Sequence, residues 1–184
     1  SHIATLGIAG TGLIGSGWAA RALARGIDVV AYDPAAAAES RLKSAIDVAW
    51  PSTTALLGEA APKPGRLTFT TDLAAMARAA DFIQEAAPER EDLKIALFRD
   101  IDAIARPDVV IASSSSGFLP TRLQSACANG SRVLIGHPFN PVYILPLVET
   151  VAGENTAAEA MDRAGRFYRS VGMHVLRLKK EIDG

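Results

Sequence analysis

Cysteine is almost missing from this sequence. Cys127 stands alone among 184 residues, which excludes a disulfide framework and a cysteine metal site, and its setting in LQSACANG reads as small helical filler. No apolar run reaches the roughly 18–20 residues that cross a bilayer. The start, SHIATLGIAG, has no basic stretch ahead of its apolar residues, so no signal peptide is expected. Neither sign of charge dominates: the net charge is −1, with no polybasic block for nucleic acid and no acidic tail. Repeats and low-complexity linkers are absent too. These absences predict a cytosolic protein that binds neither nucleic acid nor membrane. Histidine is also scarce, with three in all. His2 lies in a leading Ser-His that reads as a tag remnant, His174 reads as structural, and His137 is left as the one to explain.

What is present is a large apolar fraction, 49 %, laid out in alternation. Strand-like runs at 3–9, 28–33, 66–70, 81–86, 108–114, 132–137, 145–151 and 173–178 are separated by helical patterns at 13–26, 35–50, 72–80, 89–105 and 156–170. Pro51 should stop the second helix, and Thr71 is the candidate cap of the third. In the fourth, Leu93, Leu97, Ile101 and Ile104 should form the inward stripe. Residues 51–65 read as loop with a helical turn. Such alternation predicts an α/β fold, a Rossmann-type, doubly wound, mostly parallel sheet with helices on both faces, over residues 1–184. The closing KKEIDG, within 179–184, reads as the start of an interdomain linker, and the chain as a fragment of a longer one.

Gly10-Thr-Gly12-Leu13-Ile14-Gly15 is a G-x-G-x-x-G placed between a strand and a helix, and the next strand ends in Asp33. Gly10 permits the tight turn, Gly12 leaves the backbone open to a pyrophosphate, and Gly15 lets helix and strand pack closely. The helix N-terminus attracts the phosphate charge. Asp33 can accept hydrogen bonds from ribose hydroxyls and would repel a 2′-phosphate, so NAD is favoured over NADP. The same fingerprint serves FAD, but no second flavin element is visible.

The stretch GHPFNPVYILPLVE, 136–149, holds His137 and Glu149 at either end of a proline-stiffened apolar run. A histidine is suited to taking a hydroxyl proton near neutral pH, and a carboxylate on its other ring nitrogen would fix the tautomer. A capped core histidine beside an unrelated surface glutamate fits the spacing equally well.

Taken together, Gly10–Gly15, QEAAPEREDLK (84–94), ASSSSG (112–117) and GHPFNPVYILPLVE resemble the 3-hydroxyacyl-CoA dehydrogenase family over essentially the whole chain, as that family's N-terminal NAD domain. The resemblance implies His137 as catalytic base, Glu149 as its partner, and Ser116 as the serine bonded to the substrate oxygen. It implies Asn140 near the nicotinamide ribose, and Ala86, Glu89 and Lys94 along the cofactor, with no metal. Without it, Glu89 and Lys94 read as a solvated helix face and the serine run 113–116 as a turn. It also implies a helical C-terminal domain, absent here, that covers the substrate and builds a homodimer, so this piece is expected to bind NAD yet turn over poorly.

The match has departures. The acyl-CoA enzymes usually read H-F-F-N-P and M-K-L-V-E, where this chain has His-Pro-Phe-Asn-Pro and Leu-Pro-Leu-Val-Glu. They carry a lysine-rich excursion that helps hold CoA, whereas residues 34–66 offer only Arg41, Lys43, Lys63 and Arg66. The wording is instead similar to the carnitine-oxidising branch, with the L-gulonate 3-dehydrogenase branch second. The resemblance therefore implies NAD-dependent oxidation of a 3-hydroxyl on a small polar substrate. Phe118, Phe139 and Tyr143 are candidates for facing a trimethylammonium group, and each is also a candidate packing residue. A dinucleotide-binding sensor without catalysis is the alternative of another class.

Overall fold

The computed structural model describes residues 2–181. Of the interdomain linker expected at 179–184, residues 182–184 lie outside the described residues, as does Ser1. Strand β1 (Thr5–Ala9) passes through the glycine turn into α1 (Leu13–Ala24), followed by β2 (Asp28–Tyr32), α2 (Ala38–Ala55) and β3 (Leu67–Thr70). The chain then crosses to α3 (Leu73–Ala79), β4 (Phe82–Glu85), α4 (Glu91–Ile104), β5 (Val110–Ser113) and the single turn α5 (Pro120–Leu123). It ends in β6 (Val133–Pro138), β7 (Leu147–Ala152), α6 (Ala158–Ser170) and β8 (His174–Arg177).

All eight strands share one sheet in the order β3-β2-β1-β4-β5-β6-β7-β8. Every neighbouring pair is parallel except β6 and β7, which are antiparallel. Strand alternation divides the core. Leu6, Ile8, Val29, Phe82 and Leu134 face α1, α2 and α6, whereas Ile83, Ile111 and Val133 face α3 and α4. This is the doubly wound arrangement, and winding reverses between β1 and β4. Loops leaving those two strands diverge there and open a crevice at the carboxyl edge of the sheet.

Helix α1 is the most enclosed of the helices: every residue from Gly15 to Ala24 is buried, Arg21 included. Pro51 does not stop α2, which runs on to Ala55. Its buried stripe, Ala38, Leu42, Ile46, Ala49 and Thr53, continues past the proline against α1. Pro51 and Asp47, whose carbonyl loses its partner, both lie on the exposed side, where water can take the bond. Residues 58–60 form a 3-10 turn between α2 and β3. The cap of α3 is Asp72 rather than Thr71, its Oδ1 accepting from the Ala74 amide at 2.9 Å. In α4 the buried stripe is Lys94, Phe98, Ile101 and Asp102, one step round from the expected leucine face. Leu93 borders the crevice, and Leu97 both borders it and, with Ile104, packs against the edge of the core.

Candidate active site

Three glycines shape the turn after β1, each for a separate reason. Gly10 has φ +100°, and a Cβ there would sit 2.6 Å from the Ala86 carbonyl oxygen, so the β1 and β4 loops meet only because it is glycine. A Cβ on Gly15 would lie 1.9 Å from the Gly10 oxygen. Gly12 meets nothing within 4 Å. It is the N-cap of α1, no side chain caps that end, and no acid occupies the first turn. Unclaimed amides therefore face open space, the arrangement a phosphate fits. Alanine at Gly12 should cost the fold at most about 1 kcal/mol as a poorer cap. It should weaken NAD binding by roughly ten- to hundredfold by filling that space. Isothermal titration beside a melting curve checks both halves.

Asp33 follows β2 and braces the turn. Its Oδ2 accepts from the Thr11 amide and Thr11 hydroxyl, both at 2.9 Å, and its Oδ1 from the Ala35 amide at 2.9 Å. Two carboxylate oxygens offer about four lone-pair sites, so capacity remains for ribose hydroxyls. Gly10, Gly12, Ile14, Asp33, Ala86 and Glu89 share the wall of a cleft of about 890 Å³. Leu13, 70 % exposed, stands outside that wall, and Gly15 lies buried under the turn.

Lys94 is fully buried, not solvated, and lies beneath the cleft rather than in its wall. Its Nζ donates to Glu85 Oε1 at 2.5 Å and to the Ala87 carbonyl at 3.0 Å, and stands 3.1 Å from Glu89 Oε1. The ammonium thus has two hydrogen-bond acceptors and a second carboxylate within ion-pair distance. Glu85 also accepts from the Ser113 hydroxyl at 2.5 Å and the Ala87 amide at 2.7 Å, while Glu89 accepts from the Ser115 hydroxyl at 2.8 Å. Burial pushes the Glu85 carboxyl up, against the pull of Lys94, Ser113 and the Ala87 amide. The four serines of the run thus have three fates. Ser113 and Ser115 serve this network, and Ser114 accepts from Trp18 Nε1 and Gln84 Nε2. Ser116 is exposed and borders the histidine recess. Glu85, Ser113, Ser114 and Ser115 are absent from the sequence-derived site. The one signal for Glu85 is an acid inside the apolar strand DFIQEA.

His137 and Glu149 are direct cross-strand partners in the antiparallel β6–β7 ladder. Their side chains therefore share a face, with His137 Nδ1 3.3 Å from Glu149 Oε2. Each side chain is about a quarter exposed, at 26 % and 28 %. With Ser115, Ser116, Phe118 and Pro120 they line a recess of about 260 Å³ at the carboxyl edge of the sheet. Phe139 packs 5.4 Å, centroid to centroid, from the His137 ring, and Tyr143 packs on the main core. Asn140 is exposed and belongs to neither wall.

Residues 5–182 match the model of the 3-hydroxyacyl-CoA dehydrogenase NAD-binding domain. The chain belongs to that family. As its NAD-binding domain, it has no need of the flavin alternative. Over 188 residues the domain is 50 % identical to an L-carnitine dehydrogenase of Pseudomonas aeruginosa, an alignment spanning all of this chain and 57 % of the relative. Among solved structures it is similar to 5-formyl-3-hydroxy-2-methylpyridine 4-carboxylic acid 5-dehydrogenase, described as an NAD+-dependent dismutase. That likeness has TM-score 0.91 and 35 % identity over 100 % of this chain and 60 % of that one. It is similar also to 3-hydroxybutyryl-CoA dehydrogenase of Escherichia coli, with TM-score 0.83 and 31 % identity over 96 % of this chain and 38 % of that one. The domain thus spans little more than half the length of the curated relatives it matches.

Proposed function

We propose that the intact protein oxidises a 3-hydroxyl group on a small polar substrate, L-carnitine to 3-dehydrocarnitine, as the NAD-dependent activity of a two-domain enzyme. The observation that carries this is the His137–Glu149 pair, set across one ladder beside the cofactor cleft. With Nδ1 turned to Glu149, Nε2 is the ring nitrogen left to take the hydroxyl proton. Glu149 holds the tautomer and stabilises the imidazolium that forms. Ser116 positions the substrate oxygen, and Asn140 approaches the nicotinamide ribose. NAD, when bound, would supply the hydride acceptor. Gly12 and the amides of α1 would hold its phosphates, Asp33 its ribose, and Ala86 and Glu89 would form the wall against it. Lys94 acts on the cofactor through Glu89.

Carnitine is favoured by the 50 % identical relative of that name and by charge. The recess has no lysine or arginine in its wall and does have Phe118 and Glu149, which suit a quaternary ammonium. Between residues 34 and 66, Lys43 is paired with Glu39, Arg66 with Asp28, and Arg41 bonds a carbonyl, leaving little for the phosphates of CoA. In this reading residues 1–184 are the cofactor domain, a helical C-terminal domain closes the site and forms a homodimer, and the enzyme works in the cytoplasm.

The test is NADH formation by the intact protein, offered L-carnitine, L-gulonate and 3-hydroxybutyryl-CoA separately. Turnover of carnitine alone is expected. A preference for the CoA ester or for gulonate overturns the substrate assignment. NAD binding without turnover of any of the three overturns catalysis in favour of a sensor.

A further inference from the structure

Arg21 is a cation in an unusual place. It sits in the enclosed part of α1, 1 % exposed, and no acidic side chain pairs with it among the described residues. Its partners are all backbone carbonyls. Nε donates to Val142 at 2.7 Å, Nη2 to Leu145 at 3.1 Å, and Nη1 to Val171 at 3.0 Å and Gly172 at 3.5 Å. Burial, with Arg25 nearby, pushes its guanidinium down to about 10, which still leaves it charged at neutral pH. A buried charge without a counter-ion is a poor device for stability alone, because an apolar side chain of similar volume avoids the desolvation. The planar fork offers instead fixed geometry, with donors diverging at set angles toward separate segments.

Those segments matter. Val142 and Leu145 belong to the 139–146 loop, which leaves the strand of His137, carries Asn140, and returns as the strand of Glu149. One turn before Arg21, Gly17 lets Val142 lie directly on α1: a Cβ at 17 would be 2.9 Å from the Val142 Cβ. The His137–Glu149 pair is only one position from the loop end of its ladder, with Pro138–Val148 beyond it. A loop released from α1 would fray the ladder from that end. Helix α1 is also the element whose N-terminus faces the cofactor cleft.

We propose that Arg21 is a positioning residue that locks the 139–146 loop to α1 and thereby sets the His137–Glu149 contact and the place of Asn140 relative to the cofactor cleft. This rests on the dehydrogenase reading above for its kinetic consequence, though not for its structural one.

The test uses Arg21→Met and Arg21→Lys in the intact protein, lysine keeping the charge without the fork. Both are expected to hold NAD within about threefold of the wild-type Kd, since the glycine turn is untouched. The kcat for the accepted substrate should fall roughly ten- to hundredfold, the scale of a small misplacement of reacting groups. The hydrogen-bonded Nδ1 proton resonance of His137, assigned by its loss in His137→Gln, should broaden. Amides of β7 near Glu149 should exchange faster. If Arg21→Met does not fold, Arg21→Lys decides. An unchanged proton signal and unchanged exchange overturn the proposal, as does a parallel fall of NAD affinity and kcat. If the wild type turns over none of the three substrates, the dehydrogenase reading has failed, and the resonance and exchange data still decide this one.

Discussion

Glutamine at His137 is expected to lower kcat by roughly 10²–10⁴-fold while NAD affinity stays within a few-fold of wild type. The separation follows from placement. His137 lies in the wall of the recess and not of the larger cleft, so under the proposed function binding and proton transfer draw on different residues. Glutamine retains a polar side chain but cannot accept a proton at working pH. Glu149→Gln keeps the size and removes the charge that stabilises the imidazolium, so its effect should be smaller but of the same kind. Because the two act as one unit, the double variant should be no slower than His137→Gln alone. Steady-state NADH formation, with NAD affinity measured separately, decides this. A His137→Gln enzyme near the wild-type rate would remove the histidine from the chemistry.

The largest effect on stability is expected from Lys94→Met, about 3–5 kcal/mol, because it leaves the Glu85 carboxylate buried without its cation. Changing both partners, Lys94→Met with Glu85→Gln, should recover most of that, since no uncompensated charge remains. The sign of the pH dependence follows from the direction in which burial moves Glu85, upward. A carboxyl held above its unfolded value favours the fold below that value, near pH 4.3, and loses this contribution as pH climbs through the folded value. Removing Lys94 raises the folded value further. The deficit of the variant should therefore be widest at neutral pH and should narrow as pH falls toward the ordinary carboxylate range. Urea titrations followed by Trp18 and Trp50 fluorescence at several pH values would show it, and a deficit constant across pH would mean that Glu85 is not the group left exposed to the loss.

Features that depend on one turn of chain were legible in the sequence. Gly10, Gly12 and Gly15 act within a few residues of one another, so their spacing carries their roles, and the strand and helix alternation carries the winding of the sheet. What depends on register was not legible. Spacing sets His137 and Glu149 at the two ends of a proline-stiffened run, but the pairing that puts them opposite is a property of the β6–β7 ladder. The solvated-face reading of Lys94 fails for a related reason. Leu93 drew the inward stripe of α4 too far round, because an apolar cleft wall and an apolar core face have the same pattern, and Leu97 serves both. Glu85 needed its partner nine residues away, across a loop, to be recognised as more than an odd acid in a strand. Pro51 and Thr71 were boundary errors, one settled by packing against α1 and the other by the stronger oxygen acceptor next door.

The antiparallel step between β6 and β7 also has a bearing on descent. His137 faces Glu149 only in one alignment of the two strands. A shift of one residue turns the glutamate to the other side of the sheet, and a shift of two sets Leu147 or Val151 against the histidine. The side chains of the connecting segment, none of which lines the recess, are therefore free to change, but the alignment of the two strands is not. Substitution in the hairpin leaves the pair in place, whereas a slip of either strand separates it, so descent is constrained in alignment before it is constrained in composition.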